Sequence, residues 1–113
     1  MSMPAFLDPV ALEPRAADAV KLLRALSNER RLMVLCRLGA GELCVGDLQQ
    51  ALGVSQSVLS QHLAVLRADG VVATRREGQT IFYRIADPAA GRVITTLMSI
   101  YCPESLPDAP DTH

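Results

Sequence analysis

The chain has 113 residues, half of them hydrophobic, and a net charge of −1. This length allows one domain with one core, and no apolar stretch is long enough to cross a membrane. All 11 basic side chains but only 7 of the 12 acidic ones fall within residues 15–102. The middle of the chain is therefore basic enough to approach nucleic acid, although the field is modest.

Residues 1–14 contain three prolines and two acidic side chains, and they lack a basic or long apolar run. This composition predicts a flexible tail that is neither a signal peptide nor a membrane anchor. We therefore expect a cytoplasmic protein.

Two helices are predicted next, over residues 16–26 and 28–38. The apolar surface of the first helix is wider than the single face that a helix buries within its own subunit. Part of this helix is therefore expected to pack on a second subunit. The second begins at a cap formed by Ser27 or Asn28 and ends at Gly39.

A helix-turn-helix is predicted from residue 47 onward. Residues 47–52 form an amphipathic helix too short to stand alone. Gly53 can end it in the left-handed conformation, and Ser55 can cap a second helix that begins at about Gln56. The inner stripe of this second helix is predicted to contain Val58, Leu59, His62, Leu63, Val65 and Leu66. Its other face is uncharged and rich in amides and hydroxyls, which suits base edges in a DNA major groove.

A β-hairpin is predicted directly after this helix, with strands over residues 71–74 and 80–85. The connecting loop, residues 75–79, places Arg75 and Arg76 at the tip. Such a wing can lie beside a phosphate backbone or enter a minor groove. The alternative is a charged turn that only keeps the protein soluble.

A last helix is predicted from a cap at Asp87, with Pro88 in its first position, to about Tyr101. Pro103 prevents its continuation. Residues 103–113 then form an acidic, proline-rich tail.

Together these elements predict a mainly α-helical winged helix-turn-helix with five helices and two strands, folded as one domain over residues 15–102. The residues expected to contact DNA are Ser55, Gln56, Ser57, Ser60, Gln61, His62, Arg67, Arg75, Arg76 and Gln79.

Several motifs in this order resemble the ArsR/SmtB family of bacterial winged-helix repressors. They are the runs at 26–32, 42–48, 59–67, 70–72 and 76–80, and the similarity covers about residues 17–102. The resemblance implies a homodimer formed through the first and last helices. It also implies that the dimer binds double-stranded operator DNA and releases it when an inducer binds.

Cys44 is the residue that bears on a metal inducer. It stands where metal- and arsenite-sensing members of the family carry the first thiol of a Cys-x-Cys pair, but here the second position is Gly46. One thiolate cannot supply the three or four ligands of a soft metal, and residues 87–102 contain no histidine. We expect no metal and no other cofactor; a metal- or metalloid-responsive repressor using Cys44 is the alternative function.

Cys36 and Cys102 resemble the thiol pair of the BigR-like, sulfide:quinone reductase repressor subgroup, which senses sulfide, persulfides and oxidants. The resemblance implies that the second and last helices bring the two thiols together within one subunit. Reactive sulfur species or an oxidant would convert them to a disulfide or polysulfide and release the operator. Taken singly, each thiol is equally well a packing residue. The sequence has no Cys-x-x-Cys, Gly-rich phosphate loop or nucleophile–base set, so an enzyme is not expected.

Overall fold

The computed structural model describes residues 8–105 and confirms the winged helix-turn-helix. The helices are α1 Pro9–Leu12, α2 Ala16–Leu26, α3 Glu29–Leu38, α4 Val45–Leu52, α5 Gln56–Ala68 and α6 Pro88–Tyr101. The strands are β1 Leu43–Cys44, β2 Val72–Glu77 and β3 Thr80–Ile85. Short 3₁₀ turns cover Glu13–Arg15 and Pro103–Ser105.

The two predicted tails are described only in part. Residues 9–15 are helical, because the Asp8 carboxylate accepts a hydrogen bond from the Val10 N–H and Pro9 suits the first helical position. The sequence analysis did not predict these first turns. Residues 1–7 and 106–113, which are half of the first predicted tail and most of the second, lie outside the described residues.

The core is aliphatic and lies where α3, α5 and α6 meet the sheet. Its buried side chains are Ala25, Leu26, Val34, Leu35, Leu38, Leu48, Leu59, Leu63, Leu66, Val71, Val72, Ala90 and Ile94. The inner stripe predicted for α5 is correct for the leucines but wrong for Val65, which is 41% exposed. Along α5 the buried leucines follow the helical repeat, and Val65 falls beside that stripe rather than within it.

The junction between α2 and α3 is held by two side chains. Asn28 caps α3 by accepting hydrogen bonds from the N–H groups of Arg30 and Arg31. The Arg31 guanidinium then reaches back and donates to the carbonyl oxygens of Ala25, at 2.8 Å, and Arg24, at 3.1 Å. A cation is favourable at these carbonyls because they end a helix.

The sheet is antiparallel in the order β1-β3-β2. The β2–β3 hairpin, hereafter the wing, turns at Gly78, whose φ of +64° suits glycine. Because β2 runs as far as Glu77, the prediction that Arg75 and Arg76 lie in a loop at the tip is wrong: both are strand residues. The strand continues because each of these residues pairs with β3.

Apolar side chains remain exposed on α2 and at the end of α6. They are Val20 and Leu23 on α2 and Ile100 and Tyr101 on α6, each at least 45% exposed. These helices are the two for which the sequence predicted contact with a second subunit. No helix within residues 8–105 is long and apolar enough to cross a membrane.

Candidate nucleic-acid interface and thiol pair

The outer face of α5 presents most of the residues predicted to contact DNA. Ser55 caps the helix by accepting a hydrogen bond from the Val58 N–H, as predicted. The exposed predicted residues at or on this helix are Ser55, Gln56, Ser57, Ser60, Gln61 and Arg67. Apart from Arg67 near the end of the helix, this face carries no charge, so its donors and acceptors are available to base edges.

His62 is placed differently from the other predicted DNA contacts. Its half-buried ring lies on the inner side of α5, in a cavity shared with Arg30 and Met33 of α3. Burial lowers the pKa of His62, and the positive charges of Arg31 and Arg30 lower it further. At neutral pH the ring is therefore uncharged and faces α3.

The two wing arginines lie on opposite faces of the hairpin, since side chains alternate along a strand. Arg76 pairs with Ile81 in the register and shares its face with Tyr83. Tyr83 lines a groove with Ser60 and Arg67 of α5. Arg76 therefore lies on the α5 side of the wing, and it has no ion pair among residues 8–105.

Arg75 occupies the outer face and is held there by two carboxylates. Its Nε is 2.6 Å from Glu42 Oε1, and its second ion pair joins an Nη to Glu77 Oε2 at 3.0 Å. The guanidinium carbon also lies 4.6 Å from the centre of the Phe82 ring. The hydrogen bonds to Glu77 and Glu42 raise the pKa of Arg75. The sequence analysis missed Glu42, because nothing local in the sequence links it to the wing.

Cys36 lies on α3 and Cys102 at the end of α6, and these two helices pack against each other. All three cysteines are half-buried thiols. Burial raises the pKa of Cys36, and a charge on Cys102 raises it further, whereas Arg37 lowers it. Cys102 ends α6, and its N–H donates to the Met98 carbonyl at 2.7 Å. The two thiols therefore belong to helices that pack together, and a charge on one acts on the other.

An open groove of about 1210 Å³, hereafter the thiol groove, is lined by residues of α3, β3 and α6; Cys36 is among them and Cys102 is not. Its lining includes Cys36 of α3, Glu42 before β1, Arg84 of β3, and Arg92 and Met98 of α6. Small molecules can therefore reach the side of α3 that carries Cys36 without unfolding the domain.

Cys44 lies apart from this pair. It is the N-cap residue of α4 and pairs with Phe82 in the sheet. Within residues 8–105, no three His, Cys, Asp or Glu side chains are grouped closely enough to hold a metal ion.

Comparison with known proteins places this geometry in a family. The family model described as "Bacterial regulatory protein, arsR family" matches residues 28–74. The chain is 50% identical to the transcriptional activator HlyU of Vibrio cholerae over 80% of its length and 84% of that protein. It is 47% identical to the biofilm growth-associated repressor of Agrobacterium fabrum, covering 81% of this chain and 79% of the relative.

Solved structures agree with these sequence relatives. The transcriptional repressor BigR of Xylella fastidiosa superimposes with a TM-score of 0.81 at 42% identity, over 85% of this chain and 98% of the other. Reduced HlyU of Vibrio cholerae gives a TM-score of 0.77 at 50% identity, over 81% and 97% of the two chains. These relatives are transcriptional regulators, not enzymes, and the chain belongs with them to the ArsR family of winged-helix regulators.

Proposed function

We propose that this chain is a dimeric transcriptional repressor that releases its operator when Cys36 and Cys102 become joined by a sulfur bridge. It would act in the cytoplasm, where bacterial DNA lies. The observations that carry the proposal are the packing of α3, which holds Cys36, against α6, which ends at Cys102, and the effect of a Cys102 charge on the pKa of Cys36.

DNA recognition is assigned to α5 and the wing. The uncharged face around Gln56, Ser60 and Gln61 suits a major groove, and Arg76 on the same side suits the adjacent phosphates. His62 is less suited to this role, because its ring faces α3. Arg75 is already paired with Glu42 and Glu77, so its contribution to DNA binding is indirect.

Dimerisation is assigned to the exposed apolar side chains of α2 and α6. Val20, Leu23, Ile100 and Tyr101 form patches that a second subunit would cover. A dimer places two α5 helices against half-sites about one DNA turn apart. Its operator affinity then depends on the angle at which α6 meets its partner.

The thiol chemistry takes two steps. A thiolate of the pair attacks the outer sulfur of a small persulfide, R–S–SH; the new protein persulfide keeps the sulfur and the proton, and R–S⁻ departs. The second thiolate then attacks the protein-bound sulfur and displaces HS⁻, which leaves a disulfide. Overall, one persulfide and two thiols give a disulfide, one thiol and hydrogen sulfide.

A longer bridge needs a second reagent, a small disulfide R–S–S–R. One protein thiolate displaces R–S⁻ from it to give a mixed disulfide, and the persulfide on the other cysteine then displaces the remaining R–S⁻. The product is a trisulfide, which spans a wider gap than a disulfide does.

Either bridge would tie the end of α6 to α3. Because α6 also carries the exposed dimer patch, the bridge is expected to change the spacing of the two α5 helices and lower operator affinity. The relatives named as repressors, and the one whose solved structure is described as reduced, support a redox-controlled repressor.

The test is operator binding by three variants before and after treatment with a small persulfide. Cys36→Ser and Cys102→Ser should bind the operator when reduced and keep it after treatment. Cys44→Ser, the matched control, should release it as the unmodified protein does. Release by either of the first two variants would refute the proposal. Release blocked by Cys44→Ser and by a chelator would instead establish the metal-responsive alternative.

A further inference from the structure

Glu42 lines the thiol groove and also contacts the wing, and the proposed function requires a connection between these two parts of the molecule. Its side chain lines the thiol groove together with Cys36. The same carboxylate accepts the 2.6 Å hydrogen bond from Nε of Arg75 in the wing. Glu42 is therefore in contact with the wing while it lines the same groove as Cys36.

The segment before Glu42 is hydrogen-bonded to the end of α3. The Gly39 N–H donates to the Leu35 carbonyl at 2.9 Å, and the Gly41 N–H donates to the Leu38 carbonyl at 3.1 Å. A shift or rotation of the last turn of α3, which carries Cys36, is therefore passed directly to Glu42.

Glu77 offers a useful contrast. It is the second carboxylate on Arg75, at 3.0 Å, but it belongs to the wing itself, two residues from Arg75 in the same strand. Glu77 is part of the wing, whereas Glu42 lies outside the hairpin, between the end of α3 and β1. The Glu42 contact adds a side-chain link from the segment after α3 to the wing, alongside the pairing of β1 with β3.

We propose that Glu42 is a positioning residue that couples the thiol pair to the wing through Arg75. This inference rests on the proposed function and adds a second route to it, alongside the dimer contact. In the reduced protein, Glu42 holds Arg75 on the outer face and so fixes the wing, with Arg76 directed toward the α5 side. When a bridge draws α3 and α6 together, Glu42 moves, the Arg75 contact weakens and the wing becomes more mobile.

The exposure of the Arg75–Glu42 ion pair to solvent limits how much this contact can change operator affinity. The Arg75 and Glu42 side chains are 43% and 31% exposed, so the contact is only partly shielded from water. Partly exposed ion pairs of this kind change an equilibrium by about two- to fivefold. The coupling is therefore expected to account for part of the operator release and not for all of it.

The test uses the variants E42A and E77A, both in full-length protein with Cys44→Ser so that only the proposed thiol pair reacts. Each is compared as the reduced form and as the form bridged with cysteine persulfide. Operator dissociation constants are measured by titration. Hydrogen exchange of the wing amides, residues 75–82, is measured without DNA.

With both carboxylates present, bridging should speed exchange in the wing. In E42A the wing should already exchange faster when reduced, and the bridged-to-reduced ratio of dissociation constants should fall by about two- to fivefold. In E77A, the bridged-to-reduced ratio of operator dissociation constants should stay the same as in the protein with both carboxylates. Bridging should also speed hydrogen exchange in the wing to the same extent. Equal behaviour of E42A and E77A would overturn the inference.

The two proposals fail in different ways. If bridging leaves operator affinity unchanged in the parent protein, the proposed function is wrong. The link to the wing is then decided by hydrogen exchange alone, since that measurement needs no DNA. If bridging releases DNA but wing exchange in the parent protein is unaltered, only the role of Glu42 is wrong.

Discussion

Cys102 acts electrostatically on Cys36 across the contact between α3 and α6, and its charge raises the pKa of the Cys36 thiol. Burial contributes more to that rise, and Arg37 opposes it. A thiolate is the nucleophile in sulfur exchange, and a charge on Cys102 disfavours the thiolate form of Cys36.

Removing Cys102 should lower the pKa of Cys36 and speed its alkylation. In a protein with Cys44→Ser, the rate of iodoacetamide alkylation is followed against pH with and without Cys102→Ser. The pH profile should move to lower pH without Cys102, while remaining above that of an ordinary thiol because burial persists. Arg37→Gln is the opposite control, because losing its positive charge should move the profile to higher pH. An unchanged profile without Cys102 would contradict the proposed contact.

Arg31 should be a stabilising residue and not a DNA contact. Its two hydrogen bonds satisfy carbonyls at the end of α2, and charged hydrogen bonds of this kind contribute about 1.5–3 kcal/mol. Arg31→Ala should lower the free energy of unfolding by roughly that amount, measured with urea. Its exposed neighbour is the control: Arg30→Ala should stay within about 0.5 kcal/mol. Equal losses would show that the helix-end contact is not stabilising.

The α5 face and the wing should affect DNA binding in different ways. Gln61→Ala should weaken the free energy of binding to the operator by about 1–3 kcal/mol and change binding to random DNA little, because amides form hydrogen bonds with base edges. Arg76→Ala should weaken both and reduce the salt dependence of binding. Gln50→Ala, an exposed amide on α4, is the control and should do neither. If Gln61→Ala weakens operator and random DNA equally, the assignment of base contact to Gln61 is wrong.

His62 should make the folded protein sensitive to acid. Its pKa in the folded state is below that of the unfolded chain, mainly because the ring is half-buried. The resulting stability is present above about pH 6.5, the ordinary histidine pKa, and is lost as the pH falls through the folded value. The melting temperature should therefore fall less between pH 7 and pH 5 in His62→Gln than in the unmodified protein. If the melting temperatures of the two proteins fall equally between pH 7 and pH 5, His62 is not a source of the acid sensitivity.

Much of the fold follows from local signals in the sequence. Ser55 before α5, and Asp87 with Pro88 before α6, define helix starts by hydrogen bonds within one turn, so both boundaries were predictable. β1 is different, because its two residues form a strand only by pairing with Tyr83 and Phe82 of β3. No local pattern could indicate that partner.

The candidate site also combines features that local sequence predicts with features that depend on distant parts of the chain. The face of α5 was predictable because the helical repeat places Gln61 outside and Leu63 inside. The distinction between Arg75 and Arg76 required the strand register. The partner of Arg75, Glu42, is 33 residues away in sequence. The proposed pairing of Cys36 with Cys102 was suggested only by resemblance to relatives, since it depends on how α3 packs on α6.

The most direct test of the account is mass spectrometry of the full-length protein as it leaves operator DNA under a small persulfide. Digestion should yield a peptide containing Cys36 linked to one containing Cys102, at the mass of a disulfide or trisulfide. The linked fraction should rise in step with the released DNA, and mixing light and isotope-labelled protein should give no mixed pair, which places the link within one protomer. Release with both thiols unlinked, or with a link that involves Cys44, would contradict the account.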